Sequence, residues 1–129
     1  MDRLLSGRGV LVIEDEMLVL MMIEMMLGDL GCEAVVSAST VNTALAAIAR
    51  GHYDIAMLDM NLGGEDSHRV ADALDALGVP YVFCTGNAGG DRRQNVRPRA
   101  ILRKPFAVKA LSERLVALLS ERDFPLAVA

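Results

Sequence analysis

Hydrophobic residues in this chain come in blocks, and the blocks alternate between two periods. Positions 10–13 read Val-Leu-Val-Ile, an unbroken apolar run of the kind that marks a strand covered on both faces. A helical pattern comes next over about 16–30, with Leu18, Met21, Met22, Met25 and Met26 at three- and four-residue steps and Gly31 placed to cap its end. The next pair is a strand at 33–37 and a helix that starts at Ser39 or Thr40, runs to Arg50 and stops at Gly51. "DIAML" at 54–58 is the third strand, and a helix from Asp66 or Ser67 runs through Leu77 to Gly78. "PYVFC" at 80–84 is the fourth strand. The stretch 86–96 carries glycines 86, 89 and 90 and few apolar residues, which predicts a loop and a short or mobile helix. A short fifth strand at 100–103 precedes a last helix over about 108–122, with Leu111, Leu115, Leu118 and Leu119 on one face.

Such alternation predicts an α/β fold, a doubly wound five-stranded parallel sheet with helices on both sides. No repeat, low-complexity segment or linker interrupts it, so 1–129 is expected to form a single domain with its core over about 9–122.

Composition narrows the picture. Hydrophobic residues make up 53% and charged residues 23% of the 129, a globular balance. Apolar runs fall well short of the roughly 18 residues that a membrane span needs. "MDRLLSGRG" is too short and too charged for a secretory signal, so a cytoplasmic protein with no membrane partner is expected. The net charge is −4, aromatics are 4% and Trp is absent, which removes the stacking platform of single-strand nucleic-acid binders. Arg92, Arg93, Arg97, Arg99, Arg103 and Lys104 cluster, and read as a solvated loop and helix face. Cys32 and Cys84 lack ligand-type neighbours and read as reduced and buried. His52 and His68 read as surface positions. The methionine stripe at 21–26 reads as core packing, not as a copper site.

In open parallel sheets, ligands bind beyond the carboxyl ends of the strands. Those ends carry unusual chemistry here. Glu14-Asp15-Glu16 follows the first strand, and Asp59-Met60-Asn61 the third. Thr85-Gly86 follows the fourth strand and Lys104-Pro105 the fifth. Clustered carboxylates repel unless something positive joins them, and Mg²⁺, which takes oxygen ligands and keeps waters, is the natural solution. No Walker loop or GxGxxG follows the first strand, and neither His sits at a strand end to complete a Ser-His-acid set. Carboxylates with a metal, a hydroxyl and an ammonium make a kit for handling a phosphoryl group. Asp59, alone at the end of the central strand, is the best candidate to accept it.

These strand-end residues resemble the receiver domain of two-component response regulators over about 10–119: the acid pair Glu14-Asp15, Asp59 in "DIAMLDMNL", Thr85 in "VFCTGN", and "KPF" at Lys104-Pro105-Phe106. The resemblance implies a flavodoxin-like (βα)5 fold with strand order 2-1-3-4-5. It implies that Asp59 accepts a phosphoryl group from a sensor histidine kinase or phosphotransfer protein, with Thr85 and Lys104 binding its oxygens. Asp15, Asp59 and the backbone carbonyl of Asn61 would hold Mg²⁺ directly and Glu14 through water, and the Lys104-Pro105 bond would be cis. Glu16 falls to the start of the first helix, where negative charge is favourable.

Two departures stand out. Ile101 occupies the place of the family's usual Tyr or Phe, and "NLGGEDS" replaces its usual Pro-containing loop. "VFCTGN" and the missing aromatic resemble the FAT GUY subgroup of single-domain receivers, which implies a switch through reordering of 86–96 rather than through an aromatic side chain. The expected role is a stand-alone receiver that catalyses only its own phosphorylation and dephosphorylation. It would signal to a downstream protein through the 86–122 face. A phosphate sink or shuttle in a phosphorelay, and a phosphate-independent binding module, are the alternatives. An Asp-nucleophile phosphohydrolase would want an acid at 61, where Asn stands.

Overall fold

A computed structural model describes residues 4–86 and 101–123 of the chain. Five strands form one parallel sheet: β1 (Gly9–Ile13), β2 (Ala34–Ala38), β3 (Ile55–Asp59), β6 (Tyr81–Thr85) and β7 (Ile101–Arg103). Their spatial order is β2-β1-β3-β6-β7. Two further strands, β4 (Asn61–Leu62) and β5 (Glu65–Asp66), form a small antiparallel hairpin apart from the sheet. Counting sheet strands alone, the order is the expected 2-1-3-4-5. The described helices are α1 (Met17–Asp29), α2 (Val41–Arg50), α3 (His68–Ala76) and α4 (Val108–Asp123).

The apolar runs of the three central strands explain their place. Every residue of β3 is buried, as are the last four of β1 and of β6. Helices cover both faces, so the core is split by the sheet. One layer joins Val10, Val12, Ile55, Met57 and Val82 to α1 through Leu20, Ile23 and Leu27 and to α4 through Leu111, Leu115, Leu118 and Leu119. The other joins Leu11, Ile13, Ala56, Leu58 and Phe83 to α2 and α3 through Val41, Ala44, Ile48, Val70 and Leu74. The alternation of odd and even strand residues between layers comes from the two-residue period of a strand. Asp54 fixes the start of this arrangement: its Oδ2 accepts from Gly9 N at 2.8 Å, and its own N donates to Gly9 O at 2.8 Å.

Local rules hold at the second helix. Thr40 Oγ1 accepts from Thr43 N at 3.0 Å and Thr43 Oγ1 accepts from Thr40 N at 3.1 Å, a reciprocal cap that satisfies two otherwise unpaired donors.

Two expectations change. Packing through the methionine stripe of α1 holds only in part: Met26 packs on the core and Met22 is half-buried, but Leu18 is 81% exposed, Met25 72% and Met21 52%. α1 is apolar nearly all round, so three- and four-residue spacing fits more than one face. The sheet takes the face of Leu20, Ile23 and Leu27. The core also begins before residue 9, because Leu5 is fully buried and its N donates to Leu30 O at 2.9 Å. Cys32 and Cys84 are buried free thiols, as expected. His52 is exposed and His68 half-buried. Of the predicted 86–96 loop and helix, all but Gly86 lies outside the described residues, as do Arg92, Arg93, Arg97 and Arg99 of the basic cluster. No described helix is long and apolar enough to cross a membrane.

Candidate functional site

The parallel sheet carries four sequence-predicted segments to one edge. Glu14 and Asp15 follow β1, Asp59 ends β3, Thr85 ends β6 and Lys104 follows β7. Register sets them side by side: Ile13 pairs with Leu58, Asp59 with Cys84, and Thr85 with Arg103. Lys104 N donates to Thr85 O at 2.8 Å, which carries the ladder one residue further, and the Lys104–Pro105 peptide is cis as expected.

Glu14, Asp15 and Asp59 each place a carboxylate oxygen within 4.8 Å of the others. Lys104 Nζ lies 2.8 Å from Glu14 Oε1 and 3.2 Å from Asp59 Oδ2. The second contact is also a hydrogen bond. The first is an ion pair without hydrogen-bond geometry, and it leaves the buried Glu14 Oε1 with no hydrogen-bond partner. The other Glu14 oxygen, Oε2, accepts from Glu16 N at 3.1 Å, so Glu14 holds the entry to α1. Glu16 itself is exposed at the helix cap and stands outside the carboxylate cluster.

Electrostatics reflect this crowding. Burial raises the Glu14 pKa above the ordinary carboxylate value; the neighbouring Asp59 adds to the rise and Lys104 opposes it. Burial works to lower the Lys104 pKa, but the Glu14 and Asp59 carboxylates outweigh it, and the net direction is up. Cys84, beside Asp59 in the sheet, is pushed up to about 12 by burial and stays a neutral thiol.

A hard divalent cation fits this donor set. Three carboxylates converge, their donors are all oxygen, and Glu14 Oε1 is a buried anionic oxygen still lacking a hydrogen bond. Asn61, expected to contribute its carbonyl, comes two residues after Asp59; its N donates to Asp59 Oδ1 at 3.2 Å and its Oδ1 accepts from Gly64 N at 3.0 Å. Thr85 is buried at the end of β6. Ile101, in place of the aromatic, is half-buried and packs on the α2–α3 layer.

Sequence reasoning missed the hairpin after Asp59. Asn61 pairs with Asp66 and Leu62 with Glu65, with Gly63 and Gly64 forming the turn at φ +58° and +88°. Gly63 N donates to Asp15 Oδ2 at 2.9 Å across 48 residues of sequence. The signal was present as Gly-Gly between two short flanks, a turn pair that suits a two-residue hairpin. Pattern also gave no sign of the Glu14–Lys104 contact, which is a matter of side-chain reach.

This geometry agrees with comparison to known proteins. The family model described as the response regulator receiver domain matches residues 10–116. The chain belongs to the response regulator receiver domain family. The solution structure of SdrG from Sphingomonas melonis Fr1 is 43% identical over 87% of this chain and 96% of that one, with a TM-score of 0.76. The BeF3-activated conformation of SdrG, from Pseudomonas melonis Fr1, is 42% identical over 92% and 99%, with a TM-score of 0.72. The receiver domain of Erythrobacter litoralis PhyR is 26% identical over 95% and 98%, with a TM-score of 0.81. None of the curated protein sequences matches the chain. Receiver domains act in two-component signalling and bind Mg²⁺ at an acidic pocket, and Glu14, Asp15 and Asp59 form such a cluster here.

Proposed function

We propose that this receiver takes a phosphoryl group on Asp59 from a phosphohistidine of a sensor kinase or phosphotransfer protein. It then signals to a downstream protein through the 86–122 face. One observation carries the reading. Asp59 meets Glu14 and Asp15 within 4.8 Å, and an ammonium lies 3.2 Å from its Oδ2. An Asp59 carboxylate oxygen attacks phosphorus, the O–P bond forms as the N–P bond of the donor breaks, and the imidazole leaves and regains a proton. Lys104 and Thr85 bind the transferred oxygens. Asp15, Asp59 and the Asn61 carbonyl would hold Mg²⁺, with Glu14 acting through water, and the ion would neutralise charge on the phosphoryl oxygens.

Lys104 has a second duty before transfer. It bridges Glu14 and Asp59 and offsets part of their charge, so the resting site is held by its own cation. Moving the ammonium onto a new phosphoryl oxygen loosens that pair and alters the β7–α4 junction from which Lys104 comes. "VFCTGN" and Ile101 support a FAT GUY type of receiver, with its switch in 86–96. The catalysis is confined to the chain's own phosphorylation and dephosphorylation. The intact acid and Lys set weighs against a phosphate-independent module.

Since a 42%-identical receiver has a BeF3-activated conformation, beryllofluoride is a suitable probe. With Mg²⁺ present it should shift the amide signals of Asp59, Thr85 and Lys104 and of 86–96 in a ¹⁵N spectrum. An unchanged spectrum at saturating beryllofluoride and Mg²⁺ would sink the reading. Shifts at the site that leave 86–96 untouched would retain the acceptor and remove the switch.

A further inference from the structure

Asp15 is exposed and lies on the loop between β1 and α1. The hydrogen bond that fixes its carboxylate comes from far along the chain, from Gly63 N at 2.9 Å. That amide is aimed by a series of constraints. Leu62, beside it, is buried in the core with 3% exposure. Asn61 and Leu62 pair antiparallel with Asp66 and Glu65. Asn61 Oδ1 holds Gly64 N at 3.0 Å, and the buried Ser67 donates its hydroxyl to Met60 O at 2.9 Å at the base of the hairpin. Two successive positive φ values give a turn whose twist matches the hairpin, and they direct the Gly63 N–H outward to Asp15. A Cβ built on Gly63 would stand 3.8 Å from Asp15 Oδ2, which is ordinary contact, so the backbone angle and not space calls for glycine there.

We infer that the Gly63 amide is a positioning group for the metal site: it holds one oxygen of Asp15 so that the other is presented to the cation, and it couples occupancy of that site to the order of the 61–66 hairpin. This rests on the reading that Glu14, Asp15 and Asp59 take a divalent cation. Carboxylates that ligate metals are themselves hydrogen-bonded, and loss of such a partner typically costs about 10- to 100-fold in metal affinity. The coupling runs both ways, since whatever the hairpin adds to cation affinity the cation adds to the hairpin. The segment sits directly after Asp59, so a cation there would stiffen the chain on both sides of the phosphoacceptor.

The test uses Mg²⁺ alone, titrated into the full chain and followed by ¹⁵N spectra and calorimetry. Gly63→Pro removes the N–H and cannot adopt φ +58°. Gly63→Asn keeps the N–H and tolerates positive φ. Expected are a Kd for Mg²⁺ about tenfold weaker in Gly63→Pro, near wild type in Gly63→Asn, and slower hydrogen exchange at the wild-type Gly63 amide once Mg²⁺ is bound. A Gly63→Pro variant with a native-like spectrum and wild-type Mg²⁺ affinity overturns the inference. So does a Gly63 amide whose exchange is unmoved at Mg²⁺ saturation, a result that does not depend on any variant folding. A wild-type chain that takes up no Mg²⁺ overturns the metal reading itself, and this one with it.

Discussion

At the scale of the residue, the site is a balance of three negative groups against one positive. Removing Lys104 should show it from both sides. Lys104→Met leaves Glu14 and Asp59 facing each other inside the fold, and breaking a buried pair in this way costs about 3 kcal/mol. Chemical denaturation would report that loss. The same substitution takes away a cation that competes for the carboxylates, so Mg²⁺ should bind more tightly and should restore part of the stability. Weaker Mg²⁺ binding in Lys104→Met would contradict this account of the resting site. The thiols make a second prediction. Cys32 and Cys84 are both buried and both have pKa values raised by burial, Cys84 to about 12. A group whose folded pKa lies above its unfolded value binds its proton more tightly in the fold. Its stabilising share is therefore complete below the unfolded value of 9.0 and falls away as pH rises towards about 12. Neither thiol should react with a disulfide reagent at pH 8 until denaturant is added. Native stability should fall above pH 9, less steeply in Cys84→Ala. These acids, the hydroxyl and the lysine were legible in the sequence because each stands at a strand end. The contacts between them were not, since Glu14 to Lys104 spans 90 residues and depends on where a flexible side chain comes to rest.

At the scale of the element, α1 shows where pattern reading stops. A helix that is apolar on most sides carries no periodic instruction about which side is buried. The sheet selects Leu20, Ile23 and Leu27, and Met17, Leu18, Met21 and Met25 are left in solvent. Ile23→Ala should therefore cost about 3 kcal/mol, while Leu18→Ser and Met25→Ser should each stay within about 0.5 kcal/mol of wild type. Thermal or denaturant unfolding separates these cases. A large loss in Leu18→Ser would restore the packing role that the spacing first suggested. The exposed stripe begins at Met17, two residues from Asp15, beside the edge that a phosphohistidine donor must reach. Leu18→Glu should accordingly slow transfer from a protein donor and leave phosphorylation by acetyl phosphate unchanged. Helix α2 was read more closely, because Thr40 and Thr43 form a local cap that needs no tertiary information. The β4–β5 hairpin escaped because two-residue strands are too short for alternation to register; its Gly-Gly turn was the only visible sign.

At the scale of the whole molecule, the fold was readable because it repeats one rule. Among the described residues, β1, β2 and β7 lead into α1, α2 and α4, β3 leads through the small hairpin into α3, and the parallel pairing leaves a sheet with helices on both faces. That topology, more than any single motif, gathers Glu14, Asp15, Asp59, Thr85 and Lys104 at one edge from four distant segments. The central claim is that this edge takes a phosphoryl group, and that Asp59 is where it goes. Incubation with Mg²⁺ and acetyl phosphate, with intact mass measured beside Asp59→Asn, tests it most directly. An adduct of one phosphoryl group is expected on the native chain, dependent on Mg²⁺ and absent from Asp59→Asn. No adduct on the native chain, or an adduct that persists undiminished in Asp59→Asn, would contradict it.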